Sequence, residues 1–352
     1  MPTVAWLTGR HPWYGGEYYR AYRPALLLAH RMGWHTAVCR GASIPRRRGR
    51  PVVLTTWGTE SPVSPDVMVI RPVPEWDQDY TDIAHAAGQI VLADLDDDVW
   101  SHEQFGAAHP DHSYEAWIAG VDGFLVSTEA LAEAVRRHVR CPVWLAPNCY
   151  DPYGLGRADP RPGRVIGTRL WISGRQTGDL DLYDQMFLPL LERYDLTWLH
   201  IGADEQPTAD SLQPSRPLTF PGRGWPEKRC LAEPSYPLPE IWRPLSRLSI
   251  GAICMSEAAY NVAKTETHAV ELASAGVPLV AVSDHDLYHD VPGRVPLGRA
   301  EVVSDRVECL LRPNFWRRES ARGRVWATAV ARRSEASYLA SLKMILRQLA
   351  SW

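Results

Sequence analysis

The sequence predicts an α/β protein of two doubly wound, Rossmann-like domains facing each other across a cleft. Three observations carry that expectation. Apolar strand-like runs alternate with helical patterns along the whole chain, the signature of parallel sheets covered by helices. At 352 residues the chain exceeds what one hydrophobic core usually serves. The segment Pro147–Arg164, rich in Pro, Gly and Asp, interrupts the alternation and reads as a linker.

In the first half the expected strands are Val4–Thr8, Thr36–Cys39, Val52–Thr55, Val67–Ile70, Ile90–Ala93, Gly123–Val126 and Val143–Leu145. Helical patterns at Glu17–Arg31 and Thr128–His138 lie between them. The second half repeats the scheme with strand Val165–Ile172, helix Leu180–Arg193, and strands Thr197–Ile201, Leu218–Phe220 and Ser249–Ile253. A helix Lys264–Ala275 and a strand Val277–Val282 follow, with Gly276 and Pro278 stopping the helix. Thr208–Pro239 holds many prolines and reads as irregular, while Val325–Leu349 reads as a long amphipathic helix. The expected division is 1–150, 151–325 and a terminal helix 326–352.

Composition removes several function classes. The chain is 45% hydrophobic and 22% charged with a net charge of −3, so nothing points to a polyanion partner. The short cluster Arg46, Arg47, Arg48 and Arg50 reads as a solvated loop. No obvious basic amphipathic helix stands out, which weighs against a lipid acceptor. Six scattered cysteines with no CxxC pair argue for a reducing compartment and against a zinc site. Neither a signal peptide nor an apolar run of membrane length is evident, so a cytoplasmic location is expected.

The most informative stretch is 256–283. A polar loop with Asn261 and Lys264 feeds a helix bearing Glu271. Helix N-termini hold anions because their N–H groups lack partners and the dipole is positive there. Lys264 adds a full charge, and Glu271 lies seven residues on, about 10 Å along one helical face. That pair suits the diphosphate and ribose of one nucleotide, although an ordinary surface helix explains it equally well.

Other motifs sit at strand ends, where doubly wound sheets bind ligands. Tyr14–Arg20 places Gly15 and Gly16 after the first strand, without the GxGxxG fingerprint of dinucleotide binding. Asp94, Asp96, Asp97 and Asp98 crowd the end of another strand and repel unless satisfied. They suit a haloacid-dehalogenase-type nucleophile, a DxD metal site, a cleft loop that caps the next helix and touches a substrate hydroxyl, or a structural cap alone. Ser173–Asp179 brings Gly174, Arg175 and Thr177 before a helix, with Asp179 as its N-cap. His102, His109 and His112 follow the acidic cluster, and Trp13 or Trp100 would offer a ring to a sugar.

Taken in order, these residues resemble GT-B-fold glycosyltransferases of the GT4-like group, particularly relatives from O-antigen-type clusters and phage genomes. The carriers are Tyr19-Arg20…Pro24…Gly33-Trp34-His35, Asp94-Leu95-Asp96-Asp97-Asp98, Val126-Ser127-Thr128…Pro147-Asn148…Asp151, and Tyr260-Asn261…Lys264-Thr265…Glu271…Gly276-Val277-Pro278. The resemblance implies retaining transfer from a nucleotide-sugar, UDP- or GDP-linked, with no metal and no other cofactor. It places Lys264, Arg175 and Asp96 at the reaction and Gly15, Gly16, Gly174, Thr177, Gly222, Asn261, Thr265 and Glu271 around the donor. Tyr19, Arg20, Asp94, Asp97 and His102 fall on the acceptor side, and the terminal helix packs back on the first domain. The acceptor is left open among protein, glycan, lipid and modified DNA. Much of the family has a Glu where this chain has Ala263, so the sugar is less legible than the diphosphate. The competing expectations are a non-catalytic glycosyltransferase-like binding protein and a phosphatase using Asp94 and Asp96.

Overall fold

The computed structural model describes residues 3–9, 11, 15–43, 51–71, 78–100, 120–151, 158–169, 177–202, 216–217, 225–233, 236 and 240–349. Contacts divide the chain into two units. The first holds Met1–Tyr150, Ala263–Thr265 and Arg333–Trp352, and the second holds Asp151–Val262 and Glu266–Arg332.

Unit 1 is built on an eight-stranded sheet. Its strands are β1 (Thr3–Leu7), β2 (His35–Ser43), β3 (Val53–Thr56), β4 (Pro62–Val63), β5 (Val67–Ile70), β6 (Ile90–Leu95), β7 (Gly123–Val126) and β8 (Val143–Leu145). The order is β4-β3-β2-β1-β5-β6-β7-β8, parallel except near one edge, where β3 runs against both β2 and β4. Successive side chains serve opposite faces, as strand pleating requires. Ala5, Leu7, Met68, Ile70, Ala93 and Val126 enter one core with Leu131 and Val135 of the helix Glu129–Arg136. Val4, Trp6, Val67, Val69, Leu92 and Leu125 enter the other with Leu27 and Leu28. Burial on both faces explains the unbroken apolar runs of these strands.

The second face is closed by the chain's own C-terminus. The helix Pro313–Leu349 contributes Tyr338, Leu342 and Ile345 to the cluster around Trp6. Trp144 Nε1 also donates to Gln348 Oε1 at 2.9 Å.

The first helix is not uniform. An α-turn at Gly15–Glu17 runs into a π segment at Tyr18–Tyr22 and then the α-helix Arg23–Met32. Pro24 accounts for the change of register: with no N–H and with a ring that crowds the carbonyl four residues back, it cannot continue an α ladder. The Arg23 N–H bonds the Tyr18 carbonyl instead.

Unit 2 carries β9 (Val165–Arg169), β10 (Thr197–Ile201), β11 (Arg216–Pro217), β12 (Cys230–Glu233), β13 (Ile250–Cys254), β14 (Leu279–Val282) and β15 (Arg294–Val295). Their order is β11-β12-β10-β9-β13-β14-β15, with only β11 antiparallel. Ile166, Trp198, Ile250, Cys254, Val280 and Val282 form its core with Leu190, Leu191, Val303 and Val307.

Several expectations are corrected. The helix expected over Leu180–Arg193 divides into Thr177–Met186 and Leu188–Arg193, because Pro189 breaks the ladder. Cys230–Glu233 is a strand inside the stretch expected to be irregular, secured by parallel pairing with β10. The expected strand Leu218–Phe220 lies outside the described residues. β14 begins at Leu279, after Pro278, which has no N–H to give a ladder. The helix expected from Lys264 starts at Thr267. Its missing turn is held elsewhere: the Ala263 carbonyl accepts from Thr128 Oγ1 at 3.0 Å, and Thr265 Oγ1 accepts from Asn148 Nδ2 at 3.0 Å.

Candidate functional site

Register aligns the strand ends that matter in unit 1. Leu7 pairs with Ile70 and Ile70 with Ala93, so Arg71 emerges level with Asp94 at the carboxyl edge of the sheet. Arg71 there gathers three carboxylates. Its guanidinium donates to Asp96 Oδ1 at 2.9 Å and Asp94 Oδ2 at 3.3 Å, and Glu17 Oε1 lies 3.6 Å from its Nε. On the far side of Asp94, Arg20 donates both to that carboxylate and to the Ala146 carbonyl. Arg20 and Asp94 are 0% and 1% exposed, so their charges are met by each other, by Arg71 and by the Ala146 carbonyl in place of water.

Burial disfavours charge on Asp96, but Arg71, Arg20 and Lys264 outweigh it and hold the carboxyl below its ordinary range. Burial likewise opposes the charge of Arg71, yet Asp96, Glu17 and Asp94 more than compensate and raise its pKa. Asp96 is the open end of the network, 25% exposed. Gly16 explains its placement. A Cβ there would stand 2.6 Å from Asp96 Oδ2 and 3.1 Å from Arg71, so a side chain would push the network apart. Gly15, at φ +45°, supplies the left-handed turn before it. Beside this network Lys264 Nζ donates to Asp97 Oδ1 at 2.6 Å, both side chains about one-third exposed.

Unit 2 holds a second cluster at the carboxyl edge of its own sheet. Arg169 ends β9 and reaches Glu271, about one turn into the helix Thr267–Ala275. His268, one turn before Glu271, points Nδ1 at the same carboxylate from 3.5 Å. Burial raises the pKa of Glu271, but Arg169 and His268 reverse that and bring it to about 2. The loop after β13 is built on Asp179, which accepts at 2.7 Å from both the Ser256 N–H and Asn261 Nδ2. His285 Nε2 lies 2.8 Å from the Ser256 carbonyl and braces the same loop.

The structure thus brings Arg20, Asp94, Asp96, Gly15 and Gly16 together, and Lys264 with Asp97. Some residues expected at an open site are interior. Tyr19 is 2% exposed and packs edge-on to Tyr150. Arg20 and Asp94 are internal partners, and Asn261, 3% exposed, uses its amide to hold the loop. Lys264 does not share a helical face with Glu271, since it precedes the helix. Asp179 is the third residue of its helix, not the N-cap, and braces the loop after β13 instead. Arg175, Gly174, Gly222 and His102 lie outside the described residues, as do His109, His112 and Trp13. Thr177 opens the helix Thr177–Met186, its side chain undescribed. Trp100 stacks on His138 with ring centroids 4.5 Å apart.

Sequence reasoning passed over Arg71, Arg169, Glu17 and His268. A common signal existed for the arginines: each stands where an apolar strand run ends, the edge at which such sheets hold ligands. Among the described residues no group of three or more His, Cys, Asp or Glu is arranged to hold a metal ion. No described helix is long and apolar enough to cross a membrane.

Solved structures share this architecture over the full chain. Sucrose-phosphate synthase from Thermosynechococcus elongatus aligns over 100% of both chains with a TM-score of 0.61 at 12% identity. A structure described as trehalose-6-phosphate from E. coli bound with UDP-2-fluoro glucose aligns over 97% of this chain and 99% of its own, at TM-score 0.56 and 9% identity. The pneumococcal O-GlcNAc transferase GtfA in complex with UDP and GlcNAc covers 99% of each chain, at 0.55 and 8%. At such identities the likeness is one of fold: α/β with two parallel sheets, the architecture of GT-B glycosyltransferases. No family model and no curated protein matches the chain by sequence.

Proposed function

We propose that this protein transfers a sugar from a nucleoside diphosphate sugar, UDP- or GDP-linked, to an acceptor, with retention at the anomeric carbon. The observation that carries the reading is Glu271. Its carboxylate is fixed by Arg169 and His268 at the carboxyl edge of a parallel sheet, in the helix that follows a cation-bearing loop. Structures of the same fold contain UDP or a UDP-sugar analogue, which supports a nucleotide ligand.

In this reading the bond from the anomeric carbon to the diphosphate breaks, the acceptor oxygen bonds to that carbon, and the acceptor's proton departs with the diphosphate. Negative charge grows on the leaving group, so Lys264, Arg175 and the N–H groups opening the helix Thr267–Ala275 do the catalytic work electrostatically. Asp97 holds Lys264 until the diphosphate takes that position. Glu271, itself 1% exposed, acts on the ribose through His268, the more exposed group on the same carboxylate. Asp96, kept ionised by Arg71, is a poor proton acceptor and serves to orient an acceptor hydroxyl. Asp94, enclosed between Arg20 and Arg71, has no approach for a phosphate ester, which speaks against the phosphatase.

Hydrolysis or transfer from a panel of nucleotide-sugars tests the proposal. Lys264→Ala is expected to lower kcat by at least about 100-fold, the scale set by losing one preorganised donor to developing charge. Its urea midpoint should match the parent, because Lys264 is partly exposed. Turnover equal to wild type would remove Lys264 from the mechanism. A pure protein that binds nucleotide-sugars and never cleaves them would leave only the binding function.

A further inference from the structure

The β3–β4 hairpin of unit 1 carries a built aromatic site that the transfer reading leaves unused. Strand β3 ends at Thr56, and the next residue, Trp57, donates its backbone N–H to the Val38 carbonyl at 2.9 Å. Its indole Nε1 donates to Thr8 Oγ1 at 2.9 Å, and that buried hydroxyl donates on to the Cys39 carbonyl at 3.3 Å. The half-buried ring is therefore anchored through its backbone and through its indole N–H. His11 meets it at a centroid distance of 5.0 Å with the planes tilted by 60°, and the Arg40 guanidinium lies 5.8 Å from its centre. Arg40 is paired with Glu60, and their side chains remain 45% and 56% exposed.

The turn that presents these groups is tied internally. Thr56 Oγ1 lies 2.6 Å from Thr59 Oγ1 and accepts from the Ser61 N–H at 3.0 Å, while the Thr56 N–H donates to the Ser61 carbonyl at 3.0 Å. Glu60 stands at φ +56°, a left-handed conformation that a residue with a side chain keeps only where its surroundings impose it. The hairpin also has a defined place relative to the aspartate network. The Thr8 N–H bonds the Cys39 carbonyl and the Arg71 N–H bonds the Leu7 carbonyl, so Thr8, Arg71 and Asp94 stand level at the carboxyl edge. Thr8 and Asp94 belong to strands two places apart in the sheet, about 10 Å at the usual strand spacing. A pair of linked pyranose rings spans that gap.

We propose that Trp57, Arg40 and Glu60 form a saccharide subsite, which grips an oligosaccharide by a sugar unit away from its reacting end. The acceptor role rests on the transfer reading and names the acceptor's class as a glycan, not a protein, a lipid or DNA. A pyranose has a face of C–H groups that packs on an aromatic ring, and its hydroxyls both donate and accept. Arg40 supplies donors and Glu60 acceptors beside the ring, on side chains exposed enough to turn onto a ligand while the ring stays anchored. Their charges cancel, so a polyanion finds no excess of cations there.

Calorimetric titration of the full chain with neutral saccharides, in the absence of any donor, tests the proposal. The probes are glucose against maltotriose, N-acetylglucosamine against chitotriose, and mannose against mannotriose. In at least one series the trisaccharide should bind at least about tenfold tighter than its monosaccharide. Trp57→Ala should abolish that gain. Arg40→Gln, an exposed change that leaves the bonds of the turn intact, should reduce the gain with an unaltered urea midpoint, and it decides the matter if Trp57→Ala does not fold. Equal affinity for monosaccharide and trisaccharide in every series, or a gain that survives these substitutions, would overturn the proposal. So would tighter binding of a single-stranded oligonucleotide than of any trisaccharide. Trisaccharide binding through Trp57 in a protein that cleaves no nucleotide-sugar would count against the transfer reading alone and leave the saccharide site in place.

Discussion

Lys264 donates to Asp97, and Glu271 is held between Arg169 and His268. The two residues that spacing alone would pair on one helical face thus answer to different neighbours. Glu271 offers a test at this scale. Its folded pKa of about 2 lies below the ordinary 4.5, so it contributes stability above about pH 4.5 that is lost as pH falls toward 2. That shift corresponds to something on the order of 3 kcal/mol. Urea titrations of wild type and Glu271→Gln should therefore differ more at about pH 6 than at about pH 3. A pH-independent difference would mean that the carboxylate's charge is not what Arg169 requires. Gly16 belongs to this scale too. Its lack of a Cβ was legible as a Gly-Gly motif, but the reason, Asp96 lying against it, required the fold.

Among the elements, strand patterning was the most legible part. Val67–Ile70, Gly123–Val126 and Thr197–Ile201 form at the bounds their apolar runs predict, since burial on both faces leaves no other arrangement for them. Helix ends were less legible. Pro24 turns a continuous helical pattern into a π segment, and the start of the Glu271 helix is displaced by bonds from residues more than a hundred positions away. Thr128 illustrates the coupling. Its hydroxyl accepts from the Leu131 N–H at 3.1 Å as the N-cap of Glu129–Arg136 and donates to the Ala263 carbonyl. Thr128→Ala should cost about 1 to 2 kcal/mol in chemical denaturation, the usual range for a lost cap. It should also raise the donor KM by loosening the Ala263–Thr265 segment. A stability loss with an unchanged KM would confine Thr128 to capping.

At the scale of the whole molecule, each unit has its own core, so unfolding need not be a single transition. A ligand that binds one unit stabilises that unit by mass action. UDP or GDP at about 100 times its Kd should add about 2.7 kcal/mol to the transition of the unit holding Glu271. Calorimetry with and without nucleotide, in the presence of a chelator, checks this. Absence of any shift with every nucleotide would contradict a nucleotide site there.

The sequence by itself determined two parallel α/β sheets and the residue types at their carboxyl edges. It could do so because strand burial and turn chemistry are written in local periodicity. Tertiary structure alone decided that Arg71 joins Glu17, Asp94 and Asp96, that Arg169 holds Glu271, and that Lys264 answers to Asp97. It also decided that the Trp57 ring is anchored on Thr8. Charges find partners through register and packing, and neither is recorded in the spacing of residues along the chain.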